Sequence, residues 1–492
     1  MAAYNCTLFS SPLGLKVEWH CAHLLAPESD NGSMTHNLGN VSLLRNNNEL
    51  DCILKRRFQT LHSTNSRSSI VLRCFAERAT RTPHSGYHFD GSSRRFMEGW
   101  YFKVSIPNEK QSFAWMYSVE DPGTSKSHGK FEEVLRGPRF PGVGAQVLGA
   151  DDEYLWQNDD SVKRFWGSRH ELELGHTFEP KSGALAPNSK LDVQDFSKTV
   201  EEGFQVTPIL HQGFLRDNGR SVNVQTVGSV RWEYTTYPVY GWGNVGAEQK
   251  ATAGWLAALP VFEPHWQICM AGGLATGWIE WGDRKFEFVN APSYSEKNWG
   301  GSFPDKWFWV QCNVFEGGLG EIALTAGGGR RGLPFMLGAR EEVAMVGVHY
   351  DGQFYEFVPW EGTVEWEIAP WGDWKMSAQT KLYEVKLQAE TKSPGTVLRA
   401  PTADAGLVPF CRDTFNGSLR LQLWKRTQNG ALGQVILDVT SDMAALETGG
   451  GPWYSTWKKT KRIEDPIRTV MGLHVNVNEL FRNAPNLKPP GL

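Results

Sequence analysis

From Thr82 onward the chain keeps returning to a two-residue hydrophobic period, and that alternation commits most of it to sheet. In WYFKVSI, Trp100, Phe102, Val104 and Ile106 share one face, while Tyr101, Lys103 and Ser105 share the other. In FAWMYSV, Phe113, Trp115, Tyr117 and Val119 alternate with smaller or more flexible residues. KFEFV, FYEFV and LRLQLW repeat the pattern from positions 285, 354 and 419, and DPG, NGR, WGD, YDG and QNG supply turns between such runs. Helical periodicity is scarce. SDMAALE, with Ser441 as N-cap and Gly449 to Gly451 as the stop, is one expected short helix, and NELFRN near the C-terminus is a second. Many short strands with few helices give an all-β fold of barrels or sandwiches.

At 492 residues the chain has room for two or three domains. A net charge of −4 gives no electrostatic footprint for nucleic acid. No run of 18 apolar residues is present, so no helical membrane span is expected. Seven cysteines without a CxxC pair indicate neither a disulfide framework nor a zinc site, and free thiols are expected. GxSxG, the Walker A loop and a strand-to-helix GxGxxG are all missing; GVGAQVLG and AGGGRRG read as glycine-rich loops without that context. Tryptophan is the anomaly. It occurs 21 times, and only Trp19 precedes residue 81. Most of these rings serve core packing; an apolar, ring-bearing ligand is the other use.

Two strand openings resemble each other, EGWYFKVSIP from Glu98 and KWFWVQCNVF from Lys306. They suggest two tandem barrels, 82–292 and 293–488, with the boundary near YSEKNWG and a crevice between them. Residues 1–76 differ in kind. They lack aromatic density, and CILKRRFQTLHSTNSRSSIVLRCFAER holds many basic residues and one acid, Glu77. That composition reads as a disordered organelle transit peptide cut near Cys74, or as a disordered regulatory arm.

The stretch NAPSYSEKNWGGSFPDKWFWVQCNVF sets Tyr294, Glu296, Lys297 and Asn298 among six further aromatics. SYSEKNWG is expected to be a loop feeding the next strand. Glu296 is either a desolvated carboxyl with a raised pKa, able to donate a proton, or half of a salt bridge to Lys297 or an arginine. Glu98, at a strand start, is a second candidate acid. His265, beside Glu263 and Trp266, is either a satisfied core histidine or a proton relay. His84 and His88 have HxxxH spacing, but Gly86 and Gly91 break any helix that would aim both at one metal, so no metal site is expected.

TPHSGYHFDGSSRRFMEGWYFKVSIP and APSYSEKNWGGSFPDKWFWVQCNVF resemble the two signature regions of the plant tocopherol cyclases, and the resemblance runs over the whole chain after about residue 80. It implies closure of the chromanol ring of a phytyl or prenyl hydroquinone to γ- or δ-tocopherol. No redox cofactor and no metal would be needed, and the place of work would be the chloroplast, at plastoglobules. A more distant resemblance, to the carotenoid-hydratase-like, lipocalin-type superfamily, implies paired lipocalin-like β-barrels. Its Tyr-x-Asp-x-x-Trp-Gly pattern falls on Tyr294, Glu296, Trp299 and Gly300, with Glu replacing Asp. Ring closure needs a proton on an alkene and a dry, aromatic wall for the cation. The expected site is therefore Glu296 as acid, with Glu98 as the alternative, and Tyr294 and His265 as relay or orienting groups. Asn298 would bind the quinol, and Trp299, Trp307, Trp309, Trp100 and Lys297 would line the substrate. A carrier barrel that only binds prenylquinols and a hydratase of an isoprenoid alkene are the other readings. WLAALPVF and LPFMLG are apolar loops suited to peripheral docking on plastid lipid droplets or membrane.

Overall fold

The computed structural model describes residues 82–492 apart from 124–137, 219–224, 253, 259–262, 317, 333–338, 474, 476, 478–480 and 482–486. The leader, LPFMLG and most of NELFRN lie outside the described residues. Within them the fold is two antiparallel sheets of eleven strands each, in one compact unit.

Both sheets follow one plan. In the first, the opening strand Met97–Ile106 pairs with Gln111–Glu120 on one side. On the other it pairs with the return strand Arg284–Gly300, the last of that sheet. In the second, the opening strand Lys306–Phe315 lies between Gly318–Gly332 and the return strand Leu432–Gly450. The two openings that resemble each other in sequence thus hold equivalent places. Each sheet curls toward closure. Tyr154, on the edge of the first, exchanges backbone hydrogen bonds with Gln225 and Val227. In the second, Arg340–Tyr350 comes beside Thr363–Ile368 and Trp457–Lys461.

The alternation decides what each face meets. Trp100, Phe102, Val104 and Ile106 fill the core inside the first sheet, and Phe308, Val310 and Cys312 that inside the second. The opposite faces of these strands are also buried. Tyr101 and Trp309 join Tyr294, Ile268, Met345 and Phe415 in a third core where the sheets meet.

Two expectations fail for this reason. SDMAALE is strand, not helix: it lies within Leu432–Gly450. Ala444 and Leu446 face the inner core and Ala445 the inter-sheet core, so the run is apolar on both faces and shows no period of two. SYSEKNWG is also strand, the end of Arg284–Gly300, and AGGGRRG lies in Gly318–Gly332. Tyr294 to Gly300 therefore complete the first sheet instead of opening the second, and the chain changes sheet between Gly300 and Lys306. Cys269, Cys312 and Cys411 are free thiols.

Polar ties fix one sheet against the other. Lys103 Nζ donates to Gln311 Oε1 at 3.0 Å, Gln311 to Asn313 at 2.8 Å, and Asn313 to the Ser293 carbonyl at 3.0 Å. Asp152 accepts from the Thr414 and Ser393 hydroxyls, the Phe415 N–H and the Asn416 amide. A buried carboxylate with four donors is costly to delete because all four are left unpaired. Residue 152 adopts a φ of 58°, which Asn tolerates as Asp does. Asp152→Ala should lower unfolding stability by about 3 kcal/mol or more, and Asp152→Asn by about 1. Urea unfolding of the two variants checks the order.

Candidate active site

Along the return strand Tyr294, Glu296 and Asn298 fall on one face, and Ser295, Lys297 and Trp299 on the other. The first face looks toward the second sheet. Glu296 Oε2 accepts three hydrogen bonds there: from the Tyr294 hydroxyl at 2.5 Å, Trp266 Nε1 at 2.8 Å and Trp309 Nε1 at 3.2 Å. None of the three donors is a cation. Burial pushes the Glu296 carboxyl up to about 7, although the three donors favour its anion. It remains 8% exposed, and that exposure opens into a cavity.

The cavity measures about 720 Å³ and lies between the sheets. Its volume falls in the range usual for small-molecule sites. Glycine makes the room. Gly327 and Gly329 pair in register with Trp309 and Trp307, and all four line the space. A Cβ on Gly327 would sit 3.2 Å from the Trp266 ring, and one on Gly449 would collide with the Trp307 ring. Trp100, Tyr101, Met345, Trp360 and Leu398 complete a largely apolar wall.

The tocopherol cyclase-like family matches residues 94–450. "Probable tocopherol cyclase, chloroplastic" of Oryza sativa subsp. japonica is 60% identical over 417 residues, 85% of this chain and 88% of that protein. "Tocopherol cyclase, chloroplastic" of Zea mays is 58% identical over 417 residues, 85% of this chain and 87% of that one. This chain belongs to the tocopherol cyclase-like family. Among solved structures, that of CghA matches with a TM-score of 0.41 and 8% identity, over 73% of this chain and 89% of that chain.

In this member of the tocopherol cyclase-like family the expected site residues separate into two groups. Glu296, Asn298, His265, Trp100, Trp307 and Trp309 line the cavity, with Tyr294 behind Glu296. Glu98, Lys297 and Trp299 are outside its wall. Lys297 does not pair with Glu296; its ammonium meets Glu98 at 2.5 Å and the Gly86 carbonyl. The reason is the pleat: neighbours in a strand point to opposite faces, so Lys297 turns away from Glu296. Glu98 also accepts from the backbone N–H of His88 at 2.8 Å, and His88 stacks on Trp299 at 3.9 Å. Lys297 lies over the Trp100 and Trp299 rings, and His265 packs against Trp299 at 5.0 Å.

Sequence reasoning missed Glu447, which lines the cavity on the second return strand and accepts from Trp307 Nε1. It also missed Asp413, fully buried beside it in register. For Glu447 the available signal was an acid at the end of the apolar run MAAL.

The raised Glu296 pKa carries a stability cost whose sign is fixed. The folded value lies above the unfolded one of 4.5, so the contribution is full below 4.5 and is lost as pH rises through about 7. Glu296→Gln removes this loss. At pH 8 the variant should be more stable than the wild type by about 1–3 kcal/mol, and at pH 4 the two should be nearly equal. Thermal or urea unfolding at both pH values tests it.

Proposed function

We infer that this chain is an acid-catalysed cyclase that closes the chromanol ring of prenyl hydroquinones to products of the γ- and δ-tocopherol type. The observation that carries the mechanism is the Glu296 carboxyl, buried, without a cation and opening into an aromatic cavity. Burial holds the proton on the acid until it is used. Because Oε2 takes all three hydrogen bonds, the proton to be given belongs on Oε1. Protonation of the trisubstituted alkene makes a tertiary cation beside the Trp307 and Trp309 rings, each worth about 0.5–2 kcal/mol to it. As charge moves onto Glu296, the hydroxyl of Tyr294 and the two indole N–H groups are already placed to stabilise it. The phenol oxygen, held by Asn298 or His265, then bonds to the cationic carbon and loses its proton. The product has the substrate's mass. A dry wall matters because water would capture the same cation.

The relatives' chloroplastic names support a chloroplast location. Association with plastoglobules is the finer reading. Ile467 and Val470 of the helix Ile467–Met471 line the cavity and are also partly exposed, with Leu473 exposed beyond them. An apolar rim at a cavity mouth suits a substrate that arrives from lipid.

Protein lacking residues 1–76, given reduced dimethylphytylbenzoquinol in detergent, should yield an isomer of unchanged mass that runs as a chromanol. Glu296→Gln should lower kcat by about 10³-fold or more while folded, and wild-type activity should fall as pH rises through about 7. Full activity in the variant would remove Glu296 from the mechanism; bound, unchanged substrate would indicate a carrier, and a gain of one water a hydratase. Separately, Ile467→Ser with Val470→Ser and Leu473→Ser should reduce flotation with galactolipid-coated oil droplets at least several-fold. Unchanged flotation would place lipid contact elsewhere.

A further inference from the structure

The cavity holds a second carboxyl that the acid step does not use. Glu447 is reached from the Lys306–Phe315 strand, where Trp309 is its register partner. Trp309 Nε1 is the indole that bonds Glu296, so one tryptophan separates the two acids. Their environments differ in one respect that matters. Glu296 has three hydrogen-bond donors, and Glu447 has one, Trp307 Nε1.

We propose that Glu447 is the base of the cyclisation, accepting the phenolic proton as the ring oxygen bonds to the carbon that Glu296 has protonated. This rests on the cyclase reading above. Three preplaced donors stabilise the carboxylate that forms when Glu296 gives up its proton, so they strengthen it as an acid. A carboxylate with a single donor keeps more of its basicity. Over the middle of their titration the two acids share one proton; the form with that proton on Glu296 and Glu447 ionised is the minor one, and it is the form that pairs the stronger acid with the stronger base.

The groups facing Glu447 fit that state. Asp413 lies opposite in register and is fully buried. Burial, then the charges of Glu447 and Asp152, push its carboxyl well above the usual range. Burial also pushes Glu447 up to about 7, with the charge of Glu296 acting the same way. Tyr101 feels the charges of Asp413, Glu296 and Glu447, Cys411 those of Glu447 and Asp413, and Lys103 lies near Asp413. The atoms balance. Glu296 loses a proton to the alkene carbon, a C–O bond forms, the phenol O–H breaks, and Glu447 gains a proton. The enzyme resets when, after the product leaves, Glu447 gives up the proton it gained and Glu296 takes one up, with no net change in protons.

The test is turnover in D₂O with mass analysis of both product and recovered substrate, on wild type, Glu447→Gln and Glu296→Gln, each checked for folding by near-ultraviolet circular dichroism. Wild type should give chromanol carrying one deuteron. Glu447→Gln should lose about 10²-fold or more in kcat, with KM little changed. It should still wash deuterium into recovered substrate, because protonation proceeds and reverses without closure. Glu296→Gln should do neither. A folded Glu447→Gln that cyclises at the wild-type rate, or that loses deuterium wash-in together with closure, overturns the assignment. A wild type that forms no chromanol would instead overturn the cyclase reading itself.

Discussion

Everything at the centre of this molecule depends on keeping one carboxyl, that of Glu296, out of water without giving it a counter-ion. Charge in such a place is expensive, and the group responds by holding its proton near neutral pH. Two sheets are needed to build that environment. The first contributes Glu296, Tyr294 and Trp266, and the second contributes Trp309 from its opening strand. Lys297, one residue along, is removed from the acid by the pleat and neutralised by Glu98 on the neighbouring strand. The alternation that makes the strand also keeps the nearest cation away from the acid.

The same back-to-back arrangement explains the cavity. Each opening strand is buried on both faces, one in its own curled sheet and one at the seam. At the seam the large rings of Trp307 and Trp309 lie beside glycines 327 and 329, and the missing side chains leave space where packing would otherwise close it. The Lys103–Gln311–Asn313 chain and the Asp152 cluster hold the sheets in one relation, so the acid and the rings keep their spacing.

Much of this was readable in the sequence. Alternation in WYFKVSI and FAWMYSV marks the strands and sorts their residues onto two faces, and the likeness of the two openings reflects equivalent places in two sheets. Glu296 stands out because an acid among so many aromatics needs a reason. What alternation could not reveal were strands buried on both sides. There the pattern becomes a continuous apolar run, so SDMAALE looked helical and Glu447 went unnoticed. Pairings between distant strands were equally hidden: nothing near Glu98 in the chain points to Lys297, and nothing near Asp413 points to Glu447. These are properties of register, which local sequence does not carry.

The most direct test of the central claim is the protonation state of Glu296 in the resting protein. Infrared difference spectroscopy between wild type and Glu296→Gln, with ¹³C-labelled glutamate, reads the carboxylic C=O band of that one group as pH is varied. The account predicts a protonated band at pH 6 that disappears as pH rises through about 7. A band already lost near 4.5, the ordinary value for a glutamate in water, would show that the cavity does not hold the proton and would contradict it.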